Sequence, residues 1–477
     1  MLSRLLPTKL IVLIFGIFVA LAAVPLGGNI ALAWGLNGVI TAFMLMWFAV
    51  DARLAGGTLP VPVRTVSLPL IAYMLVCLAV FLQSSSYLPG MLSHPLWSET
   101  ATALGKAVPA TISVNPSATL IGLLRLLTYG GVFWLALQFG RDYNQADFLL
   151  KIIAIAVLAN ALYAITLWSS GSQTILGFDK WVGKEEVTGT FVNRNHFASY
   201  IGIGCVIWLL FVLRSVEGLI VRLRGVRLKY YTEIIIGEFF IRKGLYLCGL
   251  LILVGVLLLS RSRAGFLCAF AGMFTLMVLR CASWSRYFKS DRSETPSSFI
   301  NFSVGFCVMI IACSGLYYLF QKSGGSRLLS RLSSENAIDY ERVGVFGKAI
   351  QAIGDAPWFG SGFGTFADIF PLYRDSILSA YGRWNQAHNT YLENLMELGV
   401  PVAVLLFLTV GWCVYRCLQG ALLRKKSQSF SQTGFSVSVI VLLHSLIDFP
   451  LQISGITITY VTLLGLGVSQ SWSSRSL

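Results

Sequence analysis

The sequence predicts an all-α, polytopic membrane protein of about twelve spans, and three observations predict it. Of its 477 residues, 56% are hydrophobic and 12% charged, against roughly 25% charged in a soluble domain. The apolar residues come in runs near the roughly 20 residues that a bilayer core requires. Lys and Arg crowd into alternate connections between those runs. Lipid offers no hydrogen bonds, so each run must satisfy its own backbone and is expected to be helical.

In chain order, the runs place spans at approximately 10–27, 29–50, 67–84, 117–139, 147–168, 196–213, 244–260, 264–280, 299–320, 390–416, 433–448 and 454–470. The whole chain, 1–477, is expected to be a single integral membrane domain. The first run begins at Leu10 after Arg4 and Lys9. It resembles a signal peptide, but a second apolar run follows at once, so it is expected to stay as a helix. Between the sixth and seventh spans, Lys229–Arg242 mixes aromatic and charged residues. That mixture suits the inner interface.

Orientation follows from the basic residues. With the N-terminus inside, inner segments hold 22 of the 36 Lys and Arg. Both termini are therefore expected in the cytoplasm. The net charge of +15 is mostly this topological signal, and no nucleic-acid partner is needed to explain it. The nine cysteines lie in apolar runs or at their inner ends, and no CxxC pair occurs. They imply neither a disulfide framework nor a zinc site. The longest connection, 321–389, falls outside. It contains a helix predicted over Glu341–Ile353, with Val343, Phe346, Ile350 and Ile353 on one face and Gly354 ending it. Pro357–Gly364 (PWFGSGFG) follows as a glycine-rich turn. Without a preceding strand, that turn suits tight backbone packing better than a phosphate cradle.

Once the topology is drawn, the residues with chemistry gather on the outer side. They are Gly189–Tyr200 (GTFVNRNHFASY), Ser260–Gly265 (SRSRAG), Tyr340–Arg342 (YER) and His388–Gly399 (HNTYLENLMELG), with His444–Gln452 (HSLIDFPLQ) as a weaker fifth cluster. One arginine at a membrane boundary snorkels or caps a helix. Several converging on one face, beside Asn, His and Tyr, point to an anion. Arg suits phosphate because its planar fork donates two hydrogen bonds and keeps its charge. Asn389, Glu393 and Glu397 follow His388 at helical spacing. They form a stripe too polar for lipid, expected to face a wet cavity or the long loop. Gly399 and Pro401 are expected to break or kink that helix. No paired-Asp cluster lies outside to hold a divalent cation. No metal or other cofactor is expected, and arginines would do the metal's work.

These segments resemble the O-antigen ligase and polysaccharide polymerase superfamily of bacterial envelope glycosyltransferases. GTFVNRNHFASY is similar to the family's Asn-Arg-Asn segment, SRSRAG to its Ser-Arg-x-Gly turn, and HNTYLENLMELG to the ligases' His-Asn, nine residues, Gly pattern. The resemblance covers roughly 185–455, including the large periplasmic loop at 321–389. The ligase pattern continues with Gly, Thr or Tyr where this chain has Val402, a departure at the position tied to lipid A–core ligation.

The resemblance implies a metal-independent, inverting glycosyltransferase in the inner membrane, with its active site in the periplasm. Its donor would be a glycan on undecaprenyl diphosphate, and its acceptor a hydroxyl of a glycan or glycolipid. Membrane lipid and envelope polysaccharide assembly proteins would be its other partners. Arg263, Arg194 and Arg342, with Arg261 beside them, would stabilise the departing diphosphate, and His388 would act as base, with Glu393 as the alternative. Asn193, Asn195 and Asn389 would orient sugar or side chains.

The rival reading is a two-halved transporter or flippase. Against it, the halves show no repeat, and Arg125 is essentially the lone charge inside a span. The topology gives a direct test. A reporter active only in the cytoplasm, fused near Ser334, should be silent, and activity there would place every motif on the wrong side.

Overall fold

The computed structural model describes residues 2–180, 183, 186–223, 242–289, 341–375, 384–424 and 426–473, with the single positions 226, 230, 237 and 378. The span expected at 299–320, most of the 229–242 segment and the first part of the long loop, 321–340, lie outside the described residues.

Long helices dominate. They are α1 (Leu2–Leu21), α2 (Ala31–Leu54), α3 (Ser67–Gln83), the short α4 (Leu96–Leu104), α5 (Pro116–Phe139) and α6 (Tyr143–Ser169). A two-residue antiparallel hairpin follows, β1 (Thr174–Ile175) and β2 (Phe178–Asp179), with Thr174 opposite Asp179. Then come α7 (Arg194–Leu223), α8 (Arg242–Leu259), α9 (Arg263–Lys289), α10 (341–355), α11 (Phe366–Ile369), α12 (Thr390–Leu398), α13 (Val400–Leu423), α14 (Gln428–His444) and α15 (Ser454–Ser469). Several starts are written locally. Asn115 accepts from Ala118 N ahead of Pro116, Asp142 from Gln145 N, and Asn389 from Tyr391 N and Leu392 N. Seven of the described helices are long and apolar enough to cross a bilayer.

The interior is built on α7. Of its apolar window 94% is buried, against 22% for α2 and 28% for α13, which face outward. Around α7 pack α6, α8, α9 and α14, and α15 fills the space between α5 and α14. Small residues allow the close approach that membrane helices need. A methyl group added to Gly465 would sit 2.8 Å from Ala136 Cβ and 2.9 Å from Phe133 O. Because neighbouring helices alternate in direction, one end of the bundle collects the starts of α5, α7, α9 and α15 and the ends of α3, α6, α8 and α14. This is the end that the basic-residue count assigns to the outside.

At that end a second, smaller core forms from Val345, Ala349, Ala352, Phe366, Ile369, Phe370, Leu378, Ala387 and Met396. Ile353 packs against it as expected, but the rest of the expected face of α10 is corrected. Val343 and Ile350 are 66% and 59% exposed, and Val345, Ala349 and Ala352 face inward. Alanines bring the helix close to the stacked rings of Phe366 and Phe370, which an apolarity count does not register. The helix also continues through Gly354 to 355.

Several span boundaries move, and α7 runs to Leu223, past the expected 213. The expected 390–416 span is two helices. Gly399, at φ +75°, separates α12 from α13, and a side chain there would lie 2.5 Å from Trp358 O. The glycine-rich turn is what presses on this break. Its last five amides are spent within the protein: Gly360 N on Ala356 O, Ser361 N on Met396 O, Gly362 N on Glu397 O, Phe363 N on Gln83 Oε1 and Gly364 N on Glu397 Oε2. The glycine-rich part of the turn therefore packs backbone, with its amides turned to the protein and not to a phosphate. The expected eleventh span, α14, ends at His444, short of the expected 448, so Asp448 lies in the connection to α15. Between the expected spans, α4 and the β1–β2 hairpin add short ordered elements.

Candidate active site

The connection after α14 winds one more turn, with Asp448 N bonded to His444 O at 2.9 Å, before Pro450 ends it. This buries Asp448 to 1% exposure. An isolated carboxylate there would be costly, but this one is surrounded. Asn195 Nδ2 donates to its Oδ2 at 2.8 Å. His196 Nε2 lies 3.5 Å, and His388 Nδ1 3.4 Å, from its Oδ1. These two contacts are longer than an ordinary hydrogen bond. Burial pushes the Asp448 carboxyl up, but the two imidazoles outweigh it and hold the group well below the usual carboxylate range. The Phe449 ring meets both imidazoles edge-on, at 4.5 and 4.8 Å between centroids.

The Asn-Arg-Asn segment opens α7. Asn193 Oδ1 accepts from Asn195 N at 2.7 Å, shaping the turn. Asn195 Oδ1 accepts from Ser262 Oγ at 2.8 Å, and Ser262 Oγ accepts from Gly265 N at 3.1 Å, capping α9. Asn193 and Asn195 therefore orient protein groups, and Asn195 links the Ser-Arg-x-Gly turn to Asp448. Gly265 is required because a methyl group there would lie 2.4 Å from Ala198 Cβ. Arg194 pairs with Glu186 at 2.9 Å. Arg261 and Arg263 are exposed on the α8–α9 turn, with Arg261 in the left-handed region at φ +55°.

His388 is the second candidate in that region, at φ +52°. Such backbone persists only where its surroundings over-determine it. Glu393 Oε2 accepts from Ala387 N at 2.8 Å, just before His388, and Asp448 faces the imidazole on the other side. Glu393 Oε1 accepts from Gln452 Nε2 at 2.9 Å. Glu397 accepts from Gly364 N and Phe366 N, both at 2.8 Å. Each glutamate is 3% exposed. The polar stripe thus meets the long loop and is spent on it. Burial pushes both carboxyls up, and Glu397 pushes Glu393 further, against the amides that hold them down. Asn389 caps α12, and its Nδ2 donates to Leu446 O at 2.9 Å.

Arg342, near the start of α10, is half-buried and bears electrostatically on His444. Its Nε is buried with no hydrogen-bond partner among the described residues. His444 Nδ1 makes a short contact with Ser199 Oγ. Arg125, the cation inside a span, lies over the Trp34 ring at 4.7 Å and donates to Gln452 O, so it joins the same network from below. Among the described residues, no group of three or more His, Cys, Asp or Glu is arranged to hold a metal ion.

The structure thus brings Asn193, Asn195, His388, Asn389 and Glu393 into one network and sets Arg194 and Arg263 at its edge. Sequence reasoning gave no role to Asp448, His196, His444, Ser199, Ser262 or Glu186. The weak His444–Gln452 cluster carried the signal for Asp448, as an acid at the end of an apolar run.

Fold and site together define a polytopic helical membrane protein with a buried His–Asp–His cluster at one rim of its bundle. Residues 248–407, about a third of the chain, match the family described as O-antigen ligase. That match supports the O-antigen ligase superfamily to which the sequence segments point. The matched region holds Arg261, Arg263, Arg342, His388 and Glu393, while the Asn193–Asn195 segment and Asp448 lie outside it. Comparison with curated proteins returned no match.

The depressed Asp448 carboxyl makes a signed prediction. Its stabilisation is full above the ordinary carboxylate range and is lost only as pH falls through the lower folded-state value. Asp448→Ala should lower the thermal-unfolding midpoint in detergent, and the difference from wild type should be at least as large at pH 5 as at pH 7. A difference that shrinks markedly between pH 7 and pH 5 would contradict a depressed carboxyl, which keeps its charge throughout that range.

Proposed function

We propose that this chain is an inverting glycosyltransferase of the bacterial inner membrane, acting on its periplasmic face without a metal. It moves a glycan from undecaprenyl diphosphate to a hydroxyl of a glycan or glycolipid, as a ligase or polymerase of envelope polysaccharide. The observation that carries this reading is the approach of His388 Nδ1 to the buried Asp448 carboxylate, 3.4 Å away, within a rim that also holds Arg194, Arg263 and Arg342. The O-antigen ligase match over residues 248–407 supports the same class of activity.

In this mechanism Asp448 favours the imidazole tautomer with hydrogen on Nδ1, leaving the Nε2 lone pair for the acceptor hydroxyl. The hydroxyl oxygen attacks the anomeric carbon and its proton passes to His388. The anomeric C–O bond to the diphosphate breaks, and the lipid diphosphate leaves with the electron pair. Charge grows on the leaving oxygens, where arginine donors fixed beforehand help most. Glu393 is a positioning residue, because both its oxygens are spent on Ala387 N and Gln452 Nε2. Asn389 likewise acts through α12. The alternative, Glu393 as the base itself, would show as a nearly fully active His388→Ala beside a dead Glu393→Gln.

Purified protein in liposomes, given a lipid-linked glycan and no ion gradient, should turn over. Arg263→Ala should abolish transfer while the protein still inserts, and Arg263→Lys should retain little, since a point charge cannot replace the bidentate fork. His388→Ala should lose roughly 10²–10⁴ in rate with donor binding intact. A chelator should have no effect. Near-full activity in Arg263→Lys would contradict the diphosphate role, and inhibition reversed by magnesium would contradict the metal-free mechanism.

A further inference from the structure

A polar recess opens at the same end of the bundle, beside the Asn-Arg-Asn segment and apart from the Asp448 cluster. Its volume is about 200 Å³, and its walls include Trp168 at the end of α6, Gln173, Thr174 and Lys180 of the hairpin, and Glu186 and Thr188 on the way into α7. Pockets for drug-sized ligands run to roughly 300–1,000 Å³, so this one suits a single ring and no more.

The walls are fixed by the fold. Asn160 on α6 clamps Thr190 twice, donating to its Oγ1 at 2.7 Å and accepting from its amide at 3.2 Å, and Thr190 Oγ1 donates to Ala23 O at 2.8 Å. Gly189, at φ +54°, lets the chain pass Asn160, whose Oδ1 would lie 2.2 Å from an added methyl. Lys180 is 5% exposed. Its Nζ donates to Glu186 O at 2.7 Å, the sole hydrogen bond of that ammonium among the described residues. An ammonium has three donors, so two are left for an occupant. Burial pulls Lys180 below its ordinary range, with Glu186 acting against it, so hydrogen bonds from an occupant would relieve a real cost.

The chemistry selects the occupant. The recess combines an aromatic ring, a buried ammonium, a carboxylate, an amide and hydroxyls, with donors and acceptors side by side. Lys180 and Glu186 bring opposite charges, which favours a neutral ligand rich in hydroxyls over an ionised one. Glu186 also pairs with Arg194 at 2.9 Å, so the recess adjoins the residue assigned to the diphosphate. We propose that it seats one neutral sugar ring of the donor glycan, with Trp168 against the ring's C–H face and Lys180, Gln173 and Glu186 on its hydroxyls. This proposal rests on the glycosyltransferase reading above.

The test uses the full-length protein in lipid nanodiscs. The probe is the glycan released by mild acid from the host's undecaprenyl-diphosphate pool, and its binding is measured beside transfer from the intact donor. Trp168→Ala, Gln173→Ala and Lys180→Met should each weaken binding of the released glycan about tenfold. Trp168→Ala should raise the KM for donor by a similar factor and leave kcat within about twofold. Trp168 is 52% exposed, so its replacement keeps the test valid even if Lys180→Met fails to fold. Arg263→Ala should bind the released glycan as wild type does, because the probe lacks the diphosphate. Unchanged binding and KM in Trp168→Ala and Gln173→Ala, in a protein that transfers normally, would overturn the recess and leave the activity standing. Trp168-dependent binding in a protein that transfers nothing would support the recess as a sugar seat and remove the activity.

Discussion

A carboxylate with 1% of its surface exposed constrains everything near it. Asp448 must find compensation in the protein, because removing one side of a buried charged contact costs several kcal/mol, about 3–5 where it has been measured. Its partners come from distant parts of the chain: Asn195 and His196 at the start of α7, and His388 just before α12. Ser262 joins through Asn195. Satisfying one acid therefore requires the ends of α7, α9, α12 and α14 to meet at one point. The small residues follow from that meeting. Gly265 lets the start of α9 lie against Ala198, where a side chain would collide.

The long loop is held by the same kind of accounting. Buried backbone amides and carbonyls must be paired, and the glycine-rich turn pairs its own with Glu397, Gln83 and Met396 O. Gln83 alone bridges Phe359 O, Glu397 O and Phe363 N from the end of α3. The turn is thus stapled to the break between α12 and α13, and α10 with it through the small core. The position of Arg342 is a consequence of this packing. The glutamates of the polar stripe, expected to face a wet cavity or the long loop, are the pins of that loop.

Hydropathy made most of the long helices legible, because lipid demands continuous apolar runs and little else produces them. The break at Gly399 was visible as Gly followed by Pro two residues on, although the apolar count ran a single span across it. The face of α10 was not legible. Val343 and Ile350 outweigh Ala349 and Ala352 in apolarity, yet the alanines pack because they let a helix approach closely. The Asn-Arg-Asn, Ser-Arg-x-Gly and His-Asn segments were recognisable by order and spacing. What they bond to was not, since Asp448 lies 60 residues beyond His388 in an otherwise apolar stretch. A single acid there carries little local signal, and its importance comes only from contacts closed by the fold. Lys180 is similar: in sequence it is one more loop cation, and only burial distinguishes it.

The central claim is that Asp448 sets the state of His388, presenting Nε2 as the basic nitrogen. Histidine-selective ¹⁵N NMR on the protein in nanodiscs measures this directly. The chain has four histidines, so replacing them one at a time assigns each signal. In the neutral form, His388 should carry its proton on Nδ1, facing the carboxylate, and Asp448→Asn should disturb that preference. A wild-type His388 protonated on Nε2, or one whose tautomer ignores the loss of Asp448, would contradict the account.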